Sequence, residues 1–402
     1  MEINREAFIA EIKNINSSEN GPIITDSKSL DLFLQEFKIE KNLELRFIAY
    51  CLKLKCINFE TYAEELLQKI LDYEKESKEI LGNFYDDPLK ATPENVSKVI
   101  TADVPRSFGF FNEICKDMGV KSLGEEYGHL ASKRIHSIIA LKYPKLSYIQ
   151  GYDRYTLICF SLALKIVQSL GIDNHYAEGL CFDLIIKFIQ ISSFNIILEH
   201  PHEQVMFTLL DNGIRGLNPR LYDSFKESHM SSLYFAMSWR LLFFTHVHPT
   251  RHVLLIWDRF LLHSNPKTEI DLFFVSLALA HIKQVISVLD NQEFGSTTVE
   301  LIQAYQNYDL NQIFVDADEF FNNPPKYNED QENDLAATAV DVLQATAKFA
   351  TKVAVKVGIR ILKKYIGEQI NGARAPVANN ANADSPSDFT ADILSILSDL
   401  YM

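Results

Sequence analysis

Along most of the chain, apolar residues return at the three- and four-residue spacing that makes one face of a helix. Leu30, Phe33, Leu34 and Phe37 follow it, with Ser27 or Ser29 placed to cap the start. Tyr62, Leu66, Leu67, Ile70 and Leu71 repeat the pattern. The run RYTLICFSLALKIVQSLG is apolar almost all round, which predicts a central buried helix. It ends at Gly171, a residue suited to the left-handed turn that closes a helix. AEGLCFDLIIKFIQI predicts a second buried helix, and VLLIWDRFLL a third with Val253, Ile256, Trp257 and Phe260 on one face. No segment alternates as a half-buried strand does, and no repeat of solenoid period is present. The expected fold class is all-α, a multi-helix domain.

The pattern also divides the chain. Residues 1–24 read as an N-terminal helical extension and 25–325 as the main domain. The Pro-, Asn- and acid-rich stretch NNPPKYNEDQEND closes that domain. Residues 326–372 then read as an acidic linker followed by a basic amphipathic helix, and 373–402 as a low-complexity linker with a short terminal helix. Lys348, Lys352, Lys356, Arg360 and Lys364 recur every four residues and form one basic stripe, with Phe349, Val353, Val357, Ile361 and Leu362 beside and partly opposite it. Such a helix suits an anionic membrane surface. It suits equally a docking site on the acidic main domain, and the spacing alone does not choose.

Composition narrows the function classes. Only 15 Gly and 13 Pro occur in 402 residues, which favours helices joined by short loops. The net charge is −14, and no basic patch interrupts the first 330 residues, so nucleic acid is excluded as a partner. Cys51, Cys56, Cys115, Cys159 and Cys181 are odd in number, lie in apolar helical patterns and form no Cys-x-x-Cys pair. They read as reduced core thiols of a cytosolic protein. The start, MEINREAFIAEIKNIN, lacks the apolar core of a secretory signal, and no apolar run is read as a membrane span. The expected location is cytoplasmic, with peripheral attachment to endomembranes under the membrane reading of residues 348–364.

Candidate chemistry begins at ITADVPRSFGFF, which sets Arg106 between Pro105 and the aromatic cluster Phe108, Phe110 and Phe111. An arginine keeps its charge and five donors, and is costly to bury unpaired. Either Asp103 pairs with it locally, with no chemistry, or an anion arrives to use it. A second motif, SYIQGYDRY, contains Tyr148, Gln150 and Gly151; a third is the pair YFAMSWRLLFF and LLIWDRFLL, with Trp239, Trp257 and Asp258.

In order and spacing, these motifs resemble the TBC-domain family of Rab GTPase-activating proteins. That family carries I-x-x-D-x-x-R, then Y-x-Q-G, then a Trp-bearing helix and an L-W-D helix. LRFIAYCLKLK resembles its early L-R-x-x-x-W segment, with Tyr50 where Trp is usual, and LNPRLYDSF resembles the stretch before the third motif. The resemblance covers roughly Thr25 to Pro325. It implies a TBC-like all-α fold that stimulates GTP hydrolysis by a Rab-type GTPase in its GTP state and so regulates vesicle trafficking. Arg106 matches the family's arginine finger and Gln150 its water-orienting glutamine. Asp103 matches the acid that would hold the arginine, while Tyr148 and Gly151 would set the backbone that presents Gln150. No cofactor of its own is implied, because GTP and Mg²⁺ belong to the partner. One departure stands out: after Y-x-Q-G the family continues with Met, Asn and an acid, whereas here Tyr152, Asp153 and Arg154 follow. A TBC-like scaffold that binds a GTPase without catalysing is therefore an alternative. A helical metalloprotein is another, since His246, His248 and His252 fall within seven residues. No Asp or Cys nearby completes that set, so no metal ligand is assigned. His200 and His202 read as loop residues.

Overall fold

The computed structural model describes residues 3–17, 23–36, 42–146, 148–192, 197, 205–264, 267–289 and 298–326. The basic stretch 348–364, both C-terminal linkers, the terminal helix, Phe37, His200 and His202 lie outside them. In chain order the helices are α1 (Arg5–Ile15), α2 (Ser27–Gln35), α3 (Leu43–Lys53), α4 (Tyr62–Leu81), α5 (Glu94–Asp103), α6 (Phe110–Met118), α7 (Glu125–Lys142) and α8 (Tyr152–Ser169). They continue as α9 (Tyr176–Ser192), α10 (Val205–Leu217), α11 (Pro219–Glu227), α12 (Leu233–Leu241), α13 (Thr250–Leu262), α14 (Lys267–Leu289), α15 (Thr298–Ala304) and α16 (Leu310–Asn322). No strand occurs among the described residues, so the fold is all-α. The chain divides into two compact units, Met1–Phe194 with Trp239–Phe274, and Asn195–Ser238 with Val275–Met402.

In the first unit α8 is the central helix. It packs on α3, α6, α7 and α9, and α9 in turn on α4. Every residue from Tyr155 to Leu164 is buried, as an all-round apolar helix requires. Gly171 closes it with φ 65°, where glycine carries no Cβ penalty. The cap of α2 differs from the expected serines. Asp26 is the N-cap, accepting from the Ser29 N–H at 2.8 Å. Ser29 sits at the third helical position, and its hydroxyl accepts from the Asp26 N–H at 3.0 Å. A carboxylate oxygen reaches that orphan N–H while the serine returns the bond, which satisfies two donors at once. On α4 the apolar face runs to Tyr73 rather than Leu71: Leu71 is exposed, and Tyr73 is buried with its hydroxyl on Glu178.

A buried ion pair joins α3 to α13. Arg46 donates from Nε and Nη2 to the two oxygens of Asp258, at 3.2 and 3.0 Å. Both side chains are essentially inaccessible to solvent. Losing one partner of such a pair typically costs about 3–5 kcal/mol, because the other charge is left buried alone. Tyr50 places its hydroxyl 2.8 Å from Asp258 Oδ1 and 2.9 Å from the Leu254 carbonyl. The residue brings an aromatic ring and a donor to this point. Tyr50→Phe should therefore lower stability by about 1–2 kcal/mol, read from the denaturation midpoint; an unchanged midpoint would show that Arg46 alone satisfies Asp258.

All five cysteines are buried and none forms a disulfide. Burial raises the pKa of the Cys51, Cys159 and Cys181 thiols and pushes Cys115 up to about 11, so they are unreactive core groups.

In the second unit α10 packs on α11. Asn218 caps α11 by accepting from the Leu221 N–H at 3.0 Å, with Pro219 at the first helical turn. Gly213 lets α10 approach Leu279, since a Cβ there would lie 2.5 Å from that side chain. Lys283 pairs with Asp316 at 2.8 Å. One helix corrects the expectation about membrane spans. Over Glu269–Leu289, α14 is long and apolar enough to cross a membrane, with mean hydropathy 1.9, but 67% of that stretch is buried within the protein, as in a core helix.

Candidate functional site

The arginine motif lies where α5 ends. Asp103 is its last helical residue, and Val104–Ser107 continues as one 3₁₀ turn with Pro105 near its start. Proline has no N–H to lose there, and its fixed φ stiffens the turn. Arg106 lies on the exposed side of the turn and Ser107 on the buried side. Phe108 is then extended, Gly109 takes φ 96°, and α6 begins. Phe108 is 67% exposed and stacks on the buried ring of His129, with centroids 6.2 Å apart.

The glutamine motif lies in the short link between α7 and α8. Tyr148 is buried and its ring meets His136 edge-on at 4.6 Å. His136 is held 2.8 Å from the Thr156 hydroxyl. Burial pushes its pKa down to about 3, so it stays neutral beside the tyrosine. Gln150 is half-buried, and Gly151 follows with φ 94° as the N-cap of α8. Glycine is favoured at this position. The φ is left-handed, and a Cβ would come within 2.7 Å of Leu242. Leu242 precedes a tight reversal in which Phe243 and Phe244 both have positive φ, 46° and 61°. Two such bulky residues store strain. The Trp257 indole stabilises this reversal by donating to the Phe243 carbonyl at 3.1 Å. Trp257 and Trp239 are themselves buried.

Asp103 connects the two motifs. Its Oδ2 accepts from the Tyr148 hydroxyl and, at 2.8 Å, from the Gly151 N–H. These donors lie on either side of Gln150 in the chain. Arg106, three residues beyond Asp103, thus issues from the same anchor as Gln150. Asp103 thus bonds to the glutamine loop, and the Arg106 charge also acts on it. Asp103 points inward at 5% exposure, while Arg106, three residues later, faces outward.

Asp153 is the residue that the sequence motifs alone leave without a role. It sits in the first turn of α8, 2% exposed, beside Ser107 and Asp103. Burial, and then the nearby Asp153 charge, push the Asp103 pKa up to about 7 against the opposing pull of Gly151, Tyr148 and Arg106. Burial also raises the Asp153 pKa. Its neighbour Arg154 stacks over Phe110, 4.5 Å from the ring centroid. The Asn-to-Asp departure in this motif was the only sequence signal for such an acid pair. Leu242 and His136 had none, because both reach the site across the fold.

The histidine cluster has a different character. The rings of His248 and His252 lie 6.2 Å apart. His246 is half-buried with both ring nitrogens shielded, and burial, with a further contribution from the Arg154 charge, pushes its pKa down to about 3. Among the described residues, no group of three or more His, Cys, Asp or Glu side chains converges as metal ligands would.

Comparison with known proteins agrees with this geometry. A family model described as Rab-GTPase-TBC domain matches residues 44–289. Curated proteins named TBC domain-containing protein kinase-like protein, from Gallus gallus, Mus musculus and Homo sapiens, are each 27% identical over 180 residues. Those matches cover 44% of this chain but 18% of each relative, so the chain spans about a fifth of their length. Among solved structures, the crystal structure of the Ypt/Rab-GAP domain of Gyp1p superposes with a TM-score of 0.55 at 16% identity, covering 79% of this chain and 98% of that domain. At that identity the likeness is one of fold. The family match extends from the Arg46 helix through the Arg106 and Gln150 motifs to the end of α14, and on that match the chain belongs to the Rab-GTPase-TBC domain family.

Proposed function

We propose that this protein is a GTPase-activating protein for a Rab-type small GTPase, acting on its GTP-bound form in vesicle trafficking, with Arg106 and Gln150 supplied in trans. The observation that carries the reading is the double hydrogen bond to Asp103, from the Tyr148 hydroxyl and the Gly151 N–H. It ties the arginine turn to the glutamine loop, as two groups serving one transition state would need. Small GTPases hydrolyse GTP slowly because little neutralises the charge that develops on the phosphates, and an arginine supplied in trans is worth about 10³–10⁵ in rate. The glutamine would orient the attacking water. GTP and Mg²⁺ would be the partner's, and the chain would bring no cofactor.

The test is a panel of Rab GTPases in single-turnover phosphate release, with binding to each GTP-loaded partner measured in parallel. Stimulation of at least one member supports the proposal. Binding without stimulation of any member would replace it with the scaffold reading, which the Tyr152-Asp153-Arg154 departure favours. The proposal includes cytoplasmic residence, with contact to anionic endomembranes through residues 348–364. A chain ending at Asp334 should keep its stimulation in solution and lose binding to phosphatidylserine liposomes; equal binding by both chains would remove the membrane contact.

A further inference from the structure

Two acids are buried behind the finger motifs, and they belong to different segments. Asp103 ends the helix before Arg106, and Asp153 opens the helix after Gln150. Asp103 accepts from the Tyr148 hydroxyl and the Gly151 N–H on Oδ2. Asp153 is poorer in partners: among the described residues, no hydrogen-bond donor reaches its Oδ2. A fully ionised carboxylate in that position would leave an oxygen desolvated and unsatisfied, at considerable cost. The groups around the pair do not remove that cost. From the 3₁₀ turn come Ser107, which approaches Asp153, and the charge of Arg106, which acts on Asp103. From the glutamine loop comes neutral Tyr148, and from α8 come Arg154, leaning on Phe110, and neutral Tyr155. From α7, His136 is neutral against Tyr148, and burial lowers the pKa of His129 despite Glu125 and Asp103. Burial outweighs the cations for both acids. Two buried acids that act on each other's charge do not ionise independently; they lose their protons as a pair.

We propose that Asp153 is a positioning residue for the fingers: the Asp103–Asp153 pair keeps one proton, and the hydrogen bond it makes latches the Arg106 turn, through Ser107, to the loop that carries Gln150. The inference rests on the GTPase-activating reading above. It adds a dependence on pH. While the proton is held, Asp153 donates to Asp103 and the 3₁₀ turn stays against α8. Loss of the proton as pH rises through about 7 sets two buried carboxylates against each other, and the turn that presents Arg106 loosens. An asparagine at this position, the residue type carried by the family motif, would donate its amide N–H to Asp103 at every pH and remove the dependence.

The experiment compares wild type with Asp153→Asn on a responsive Rab, from about pH 6 to about pH 8.5, each rate divided by the intrinsic rate of the same Rab at that pH. Wild-type stimulation should fall about tenfold over the range, while Asp153→Asn should stay within about twofold. Parallel profiles would overturn the latch. Thermal unfolding supplies a readout that needs no Rab. Both acids have folded-state pKa values above their unfolded ones. The stability they contribute is full below the ordinary carboxylate range and is lost as pH rises through the folded values. The Tm advantage of Asp153→Asn over wild type should therefore widen between about pH 5 and about pH 8; a constant difference counts against the pair. If no Rab responds but that widening is present, the latch stands and the GTPase-activating reading fails. If a Rab responds with parallel profiles and a constant Tm difference, the reverse holds. Should the variant not fold, carboxyl ¹³C titration of the aspartate-labelled wild type decides instead. A pair titrating near neutral pH supports the proposal, and all aspartates titrating in the ordinary range overturn it.

Discussion

Arg106→Ala, and equally Arg106→Lys, should lower the stimulated rate of GTP hydrolysis by at least about a hundredfold, toward the thousandfold or more that an arginine in trans supplies. The protein should remain folded. Arg106 is exposed on a 3₁₀ turn, and the inward-facing Asp103 just before it and Ser107 within it do the packing. Its loss therefore removes a donor from the surface and leaves the core intact. Lysine should not rescue, because a point charge on a flexible stem lacks the planar fork that spans two phosphate oxygens. The measurement is single-turnover phosphate release, with binding to the GTP-loaded Rab followed separately. Stimulation by the lysine variant at the wild-type level would sink the finger role. Arg106 would then be read as a surface residue balancing the charge of Asp103.

Gln150 should show its role most clearly on a crippled partner. A Rab whose own switch glutamine has become leucine cannot orient the attacking water by itself. A protein that inserts a second glutamine should still stimulate it, and Gln150→Ala should abolish that residual stimulation, a loss of about a hundredfold or more, without abolishing complex formation. On the normal Rab the two fingers act on one transition state, so Arg106→Ala and Gln150→Ala together should cost less than the sum of their separate losses in free energy. Full activity of Gln150→Ala on the normal Rab would make Gln150 structural. It would also mark the Tyr152-Asp153-Arg154 segment as part of a site that has changed its task. The geometry gives this test its specificity. Gln150 is held between two residues bonded to Asp103, Tyr148 and Gly151, so truncating its own side chain should leave the anchor undisturbed.

The two experiments separate cleanly from the acid-pair test. Arg106 and Gln150 concern the groups that would meet the nucleotide, whereas Asp153 is buried. A loss at Asp153 that varied with pH, alongside pH-independent losses at Arg106 and Gln150, would distinguish positioning from direct contact.

Much of the fold was legible in residue order. The three-to-four spacing in α2, α4 and α8, the apolar run of α9 and the Gly171 stop are local signals, and local hydrogen bonding acts on them within one helix. The TBC resemblance was legible as well, because its short motifs keep their order whatever lies between them. Sequence alone also marked Arg106 as an arginine poorly suited to a core, and Asp153 as a departure. It could not decide where the charges of these residues go. Asp103 stood three residues from Arg106, which suggested a local pair; its bonds to Tyr148 and Gly151, 45 and 48 residues along the chain, carried no such signal. Asp258 found Arg46 and Tyr50 more than 200 residues away. The membrane-length apolar stretch of α14 and the exposed Leu71 were likewise settled by what packs against them. Helical periodicity is a property of neighbours in sequence, whereas the pairing of buried charges depends on which segments meet once water has been excluded, and only the tertiary structure brings those segments together.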